Sequence, residues 1–195
     1  AAERLKAQQF DALVSIGGDG SLKIANALIQ HGIRVIGIPK TIDNDLDHTV
    51  TFGFDTAVSF ATQCVDRLHN TAESHGRILV VEVMGRHVGW IALHTGLAGT
   101  ADAILLPEIP YDIQKVAKNI QHRFERGANF AVVVVAEGAY PKGGTYSIIS
   151  QASAGLVERL GGVAERIGPQ LEALTGRETR TVVLGHLLRG GSPTA

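Results

Sequence analysis

Two short segments carry most of the chemistry that can be read from this chain. Ile16-Gly17-Gly18-Asp19-Gly20-Ser21 follows a run of aliphatic residues and precedes a stretch with helical spacing, which puts it at the carboxyl edge where open α/β sheets bind ligands. Its glycines let backbone approach a phosphate, the helix N-terminus supplies N–H groups, and Asp19 can hold Mg2+ directly or through water. The same residues also suit a tight strand-to-helix turn with Asp19 assisting the cap. Pro39-Lys40-Thr41-Ile42-Asp43-Asn44-Asp45 follows a second strand-like run and sets two carboxylates two residues apart at the same edge. Asp19, Asp43 and Asp45 would repel one another around an empty cleft, so a cation is expected there. Magnesium bound to a nucleotide fits, because it takes one or two carboxylates together with phosphate oxygens and water. Thr41 and Asn44 add hydrogen-bonding groups, and one Asp is then available to accept a proton from an attacking hydroxyl. The plainer alternative is an acidic, Asx-rich turn.

The elements that must position these segments follow from hydrophobic spacing. Leu13 to Ile16, Ile33 to Ile38, Ile78 to Val83, Phe130 to Ala136 and Thr181 to Leu184 are short, nearly continuous aliphatic runs. Such runs are expected of strands buried on both faces of a parallel sheet. Helical spacing covers Ser21 to His31, Asp55 to Asn70, His87 to Leu97, Asp112 to Arg126, and Ile148 to Leu174 with a break at Gly161-Gly162. Ser21 and Asp112 read as N-caps, and Gly32 and Gly127 as residues just past a helix end. Strands alternating with helices indicate an α/β three-layer fold, mostly parallel, with helices on both faces. Tyr140 to Thr145 reads as the clearest flexible connection.

Composition narrows the function classes. With 18 basic and 19 acidic residues the formal charge is −1, and no basic cluster of the kind a nucleic-acid binder needs is present. No apolar run approaches the ~20 residues of a membrane span. Cys64 is the single cysteine, which excludes a disulfide scaffold and a cysteine-based zinc site and makes a reducing cytoplasm the default expectation. Glycine accounts for 23 of 195 residues, above the usual ~7%, and clusters beside charged residues. The chain opens at Ala1-Ala2-Glu3 and has Met84 as its only methionine, so it reads as an internal fragment.

Five segments together resemble the 6-phosphofructokinase family: Gly17 to Ser21, Pro39 to Asp45, Thr51-Phe52-Gly53-Phe54-Asp55-Thr56-Ala57, Val81-Glu82-Val83-Met84-Gly85-Arg86, and Leu184-Gly185-His186-Leu187-Leu188-Arg189-Gly190-Gly191-Ser192-Pro193. They occur in the family's order from about Asp11 to the C-terminus. Gly17 to Ser21 alone is similar to NAD kinases and diacylglycerol kinases as well, whereas Thr41 to Asp45 and Met84 to Arg86 are specific to phosphofructokinases. The resemblance implies transfer of a phosphoryl group from ATP to the 1-hydroxyl of fructose 6-phosphate in glycolysis, with Mg2+ as cofactor. It implies that Asp43 is the catalytic base, that Asp19 and Asp45 position Mg2+, and that Gly18, Asp19, Gly20 and Ser21 bind nucleotide. Thr41 then contacts the transferred phosphoryl and the substrate, Met84 and Gly85 touch the sugar phosphate, Arg86 stabilises transition-state charge, and Glu137 accepts sugar hydroxyls. Arg77, Arg180, His186 and Arg189 correspond to the cationic pocket for the 6-phosphate, with Arg77 and Arg180 delivered by a neighbouring subunit of a homo-oligomer, a symmetric tetramer by family expectation. Converging guanidinium groups suit a phosphate dianion because they bind it bidentately and stay charged. Without the family, Arg77 would as readily cap a helix, Arg180 pair with Glu178, Glu137 end a strand, and His186 be structural.

The resemblance also implies a partial nucleotide-binding domain over 1–54, a sugar-phosphate domain over 55–187, and a return into the first domain over 188–195. The family's first strand and glycine-rich nucleotide loop are expected before Ala1. Three residues depart from the best-known bacterial pattern. Lys40 stands where many ATP-dependent members have glycine and pyrophosphate-dependent ones have lysine. Gly20 points the other way, because pyrophosphate-dependent members resemble Gly-Gly-Asp-Asp here and an Asp would crowd and repel the α-phosphate of ATP. Leu188 replaces the usual glutamine. Extra sequence between Glu137 and Arg180, including a helix around Gln151 to Leu174, is similar to longer family members. ATP is the expected donor and pyrophosphate the alternative. A silent regulatory subunit is disfavoured by the intact Asp43, Asp45 and Arg86, and a lipid or NAD kinase remains a third class.

Overall fold

The aliphatic runs become parallel strands and the intervening stretches become helices in the computed structural model, which describes residues 1–150 and 159–194. The chain divides into two compact units, Ala1–Phe54 and Asp55–Ala195. The segment 188–194, expected to return to the first domain, is grouped with the second unit.

The first unit contains α1 (Ala2–Ala7), β1 (Leu13–Gly17), α2 (Asp19–Gln30), β2 (Val35–Thr41) and β3 (Phe52–Gly53), with the strands parallel in the order β1-β2-β3. Helix α2 begins two residues earlier than its spacing predicts. Gly18 is its N-cap, without a side-chain cap bond, and Ser21 lies inside the helix instead of capping it. An acidic residue in the first turn, Asp19, takes over the favourable interaction with the helix dipole. Gly32 follows the C-cap with φ +76°, as expected. The expectation that β1 and β2 are buried on both faces is not met. Val14, Ile16 and Ile36 remain exposed, because α2 packs over one face, where Leu22 lies against Gly37, and the other is left largely open.

The second unit runs through α3 (Phe54–His75), β4 (Ile78–Val83), α4 (Trp90–Ala98), β5 (Ala103–Leu105), α5 (Ile113–Glu125), β6 (Ala131–Ala136), β7 (Ile148–Ser150), β8 (Arg159–Leu160), α6 (Val163–Thr175) and β9 (Thr179–Val183). Its main sheet is wholly parallel in the order β5-β6-β4-β9. Every residue of β4 and β6 is buried. One face of the sheet packs Ile78, Val80, Val133 and Val135 against Val116 and Ile120 of α5 and Val163, Ile167 and Leu171 of α6. Helix α4, apolar on nearly all sides, contributes buried Ile91 and Ala92, and Gly96 lets it approach Ile104 of β5 closely.

Asp112 caps α5 as expected, accepting from the N–H groups of Gln114 at 3.0 Å and Lys115 at 3.4 Å. The helix expected from His87 starts instead at Trp90, since Gly85 and Arg86 both adopt positive φ and turn the chain first. The long helix expected from Ile148 is corrected at its start. Ile148–Ser150 is a strand paired antiparallel with Arg159–Leu160, and the helix proper begins at Val163. β-Branched Ile148 and Ile149 favour this extended form; the part of the expected helix over 151–158 lies outside the described residues. The connection after Tyr140 is tied down at its start. The N–H of Tyr111 donates to the carbonyl of Tyr140 at 3.0 Å, and the Tyr111 carbonyl accepts from the N–H of Lys142 at 2.8 Å. Among the described residues no helix is long and apolar enough to cross a membrane.

Candidate active site

In the first unit, parallel pairing sets Gly17 beside Pro39 and Thr41 beside Gly53, so both motif segments leave the same carboxyl edge. Gly18 lies against Thr41, where an added Cβ would come within 3.3 Å of the threonine Cβ. The acidic turn is built by threonine and asparagine side chains. The N–H of Asp43 donates to Thr41 Oγ1 at 3.2 Å, the Thr51 hydroxyl donates to the Thr41 carbonyl at 2.7 Å, and the N–H of Thr51 donates to Asn44 Oδ1 at 3.1 Å. Asn44 has φ +52°, a left-handed conformation that asparagine tolerates better than most residues. This arrangement buries Asp43, which is only 7% exposed, and leaves Asp45 at the surface. Asp19 is exposed and pairs with Lys23 one turn on, at 2.8 Å. Gly20 faces open space, with nothing within 4 Å of where a Cβ would stand, and Lys40 is exposed.

Among the described residues no group of three or more His, Cys, Asp or Glu is arranged to hold a metal ion. The expected crowding of Asp19, Asp43 and Asp45 around one cation is therefore not seen among the described residues.

In the second unit the strand ends converge on a cavity of about 590 Å³. β4 runs into Met84-Gly85-Arg86, β6 into Glu137, and β9 through Leu184 into a 3-10 turn over Gly185–Arg189. The register Val83 to Ala136 and Glu82 to Val183 aligns these ends. Met84, Arg86, Glu137, His186 and Arg189 all line the cavity, as do His87, Glu165 and the Gly161-Gly162 turn. Arg86, with φ +55°, donates its N–H to Glu137 Oε1 at 3.0 Å, and Glu137 donates its own N–H to the Val83 carbonyl at 2.9 Å. Gly138 is required here, since a Cβ would collide with the Arg86 carbonyl, and Gly85 has φ +144° with the Val88 carbonyl 2.5 Å from its Cβ position. The pocket therefore joins the guanidinium groups of Arg86 and Arg189 and the imidazoles of His87 and His186 to the carboxyl group of Glu137, a combination that suits a phosphorylated polyol.

The motif reading assigns no role to Glu82, although a lone charge inside an aliphatic strand is a visible signal. Glu82 is buried, lines the cavity, and accepts from the N–H of Gly162 at 3.0 Å and of Ala164 at 2.8 Å. Burial holds its carboxyl above the ordinary carboxylate range, opposed by those amide hydrogen bonds.

Arg77 and Arg180 are not brought to this cavity. Arg77 precedes β4 and Arg180 is the second residue of β9, near the strands' opposite ends. Both bind Glu178, Arg77 Nε at 2.6 Å from Oε2 and Arg180 Nη2 on Oε1. Their charges hold the Glu178 carboxyl below its ordinary value, the Arg77 hydrogen bond foremost. Leu188 is fully buried in the 3-10 turn and acts as its hydrophobic anchor.

A family model described as phosphofructokinase matches residues 1–195. The chain belongs to the phosphofructokinase family. It is 54% identical over all its 195 residues to an ATP-dependent 6-phosphofructokinase of Chloroflexus aurantiacus, covering 53% of that protein. It is also 54% identical over 191 residues, 96% of this chain and 55% of the other, to a pyrophosphate–fructose 6-phosphate 1-phosphotransferase of Amycolatopsis mediterranei. Among solved structures, the phosphofructokinase of Saccharomyces cerevisiae matches 98% of this chain with 27% of its own, at TM-score 0.82 and 31% identity. A pyrophosphate-dependent phosphofructokinase from Marinobacter aquaeolei matches 96% of this chain with 47% of its own, at TM-score 0.77 and 27% identity. The chain thus has the α/β phosphofructokinase fold and spans about half the length of the curated relatives it matches.

Proposed function

We propose that the protein carrying this chain transfers the γ-phosphoryl group of ATP to the 1-hydroxyl of fructose 6-phosphate, giving fructose 1,6-bisphosphate, a glycolytic step carried out in the cytoplasm. The observation that carries this reading is the cavity where Arg86, His186 and Arg189 meet Glu137 at the carboxyl edge of the second sheet. Arg189 and His186 receive the 6-phosphate, Glu137 accepts sugar hydroxyls, Met84 and Gly85 border the sugar, and Arg86 offsets charge on the transferring group. In the first unit Asp43 takes the proton of the attacking hydroxyl, and its burial shields that transfer from bulk water. Thr41 contacts the transferred phosphoryl, and Gly18, Gly20 and Ser21 offer backbone and hydroxyl donors to the nucleotide phosphates. Mg2+, held by Asp19 and Asp45, would supply neutralisation of phosphate charge.

Pyrophosphate is the second reading, favoured by Lys40 and by the name of the Amycolatopsis relative. ATP is preferred because open space at Gly20 leaves room for an α-phosphate. Steady-state assays of the full-length protein on fructose 6-phosphate with each donor decide between them. ATP is expected to give the higher kcat/KM, and the opposite order would replace it by pyrophosphate. Gly20→Asp sharpens the test: it should impair ATP use more than pyrophosphate use, by about tenfold, since like charges in a shielded cleft repel.

A homo-oligomer, tetrameric by family expectation, belongs to the same reading, with Arg77 and Arg180 serving a neighbour's 6-phosphate. Their distance from their own chain's cavity supports this, and Glu178 keeps both guanidinium groups together.

A further inference from the structure

Glu82 is a buried charge that the phosphoryl-transfer chemistry leaves unused, and it is built into the structure more firmly than a surface carboxylate. It is 2% exposed in a strand whose other members are all aliphatic. Its two oxygens are committed to different backbone groups, Oε1 to the N–H of Gly162 and Oε2 to the N–H of Ala164, at 3.0 and 2.8 Å. These amides belong to the N-cap and first turn of α6, and the cap residue Gly162 has no side chain to satisfy them. Burying a carboxylate is costly unless such bonds compensate it. A capping Ser or Asp at 162 would do the same job without a buried charge, but Gly162 has φ +78° and Gly161 φ +137°, conformations those residues adopt poorly.

The tether has a consequence for the pocket. Leu160, Gly161 and Gly162 form a wall of the same cavity that Arg86, His186 and Arg189 line. Gly161 lies so close that a Cβ there would come within 3.2 Å of Glu82 Oε1 and 2.7 Å of Ile149 Cδ1. The β4 backbone is shared as well, since the N–H of Leu184, leading into the turn that bears His186 and Arg189, donates to the Glu82 carbonyl at 3.0 Å. One residue thereby fixes two parts of the lining, the glycine turn by its side chain and the cationic turn by its main chain. The Gly162 and Ala164 amides at that helix end are thereby taken by Glu82.

We propose that Glu82 is a positioning residue for sugar-phosphate binding, acting by fastening the Gly161-Gly162 turn and the start of α6 to the end of β4. The proposal rests on the reading of the cavity as the fructose 6-phosphate site. It predicts an effect on affinity rather than on chemistry, because neither the tether nor the turn belongs to the groups assigned to the reacting atoms.

The test uses the full-length protein with Glu82→Gln, which keeps shape and one acceptor oxygen, and separately Gly161→Ala, which strains the turn from its other side. In both, amide hydrogen exchange over Gly162 to Ala164 should quicken at least tenfold while β6 stays protected. KM for fructose 6-phosphate should rise about tenfold with kcat within threefold. Glu82→Asp keeps the charge but is too short to hold both amides, so it should match Glu82→Gln in exchange and in KM. Quickened exchange with KM unchanged would make the tether merely structural and overturn the proposal, as would a fall in kcat at constant KM, unaltered exchange in Glu82→Gln, or wild-type KM in Glu82→Asp. Absence of turnover and of calorimetric fructose 6-phosphate binding by the wild-type protein would instead overturn the assignment of the cavity, and the exchange data would still report whether Glu82 holds the turn.

Discussion

The two parallel sheets of this chain start from similar sequence and end in different surroundings. β1 and β2 are aliphatic runs like β4 and β6, yet Val14, Ile16 and Ile36 are 52%, 64% and 57% exposed, whereas every residue of β4 and β6 is buried. The aliphatic run is realised as a strand in both units, and within this chain both faces are covered only in the second. The functional edges differ in parallel. In the first unit the edge is made of small and acidic groups, Gly17 to Ser21 and Asp43 to Asp45, suited to a phosphate and its metal. In the second it is a cavity where Arg86, Arg189 and His186 meet Glu137, suited to a phosphorylated sugar. Under the proposed function, donor-side chemistry falls to the first unit and acceptor-side chemistry to the second, and changes on either side should have different kinetic signatures.

The largest effect is expected at the acidic edge. Asp43→Asn in the full-length protein should lower kcat by about 10²–10⁴, or ~3–5.5 kcal/mol, because the attacking hydroxyl loses its proton acceptor. Single-turnover and steady-state rates check it, and retention of more than a tenth of wild-type turnover would remove Asp43 from that role.

The contrast in burial predicts the next effect. Ile167→Ala, at a position fully buried between α6 and the sheet, should cost about 2–5 kcal/mol, while Ile16→Ala on the exposed face of β1 should cost under about 0.5 kcal/mol when the 195-residue chain is unfolded in urea. Equal losses would mean that the outer face of β1 is covered in solution.

A smaller effect comes from Glu82. Its carboxyl is held above the ordinary range by burial, so the unfolded chain ionises first as pH rises. The folded state then binds more protons than the unfolded one, and stability must fall as pH climbs from the ordinary carboxylate value through the raised one. Glu82→Gln should lose that slope, seen as a wild-type Tm that falls relative to the variant's with rising pH. Parallel curves would show that Glu82 titrates normally.

Much of this architecture is legible in the residues themselves. Five aliphatic runs form strands because length and β-branching both favour them, and Asp112 caps its helix because a short oxygen-bearing side chain there meets two free amides. The motif residues at the two sheet edges fall where a strand-to-helix order requires. What the sequence conceals is decided by tertiary contact. Ser21 has a capping side chain but lies inside α2, since the chain has already turned at Gly18. Ile148–Ser150 has apolar spacing compatible with a helix and pairs as a strand with Arg159–Leu160. The pairing of Arg180 with Glu178, two residues before it, is legible as the plainer alternative, whereas Arg77 joins the same carboxylate from 101 residues away, a relation that depends on strand register. Glu82 is visible as a misplaced charge, but its partners stand 80 and 82 residues away.

Separation of donor and acceptor roles is tested most directly by calorimetric titration of fructose 6-phosphate into two full-length variants, Asp43→Asn and Arg189→Ala. Asp43→Asn should bind the sugar phosphate within about threefold of wild type although its turnover has collapsed, and Arg189→Ala should bind at least tenfold more weakly, since a lost charge-assisted contact to phosphate costs on the order of 1.5–3 kcal/mol. Undiminished binding by Arg189→Ala, or loss of binding in Asp43→Asn, would contradict the assignment of the cavity in the second unit as the acceptor site.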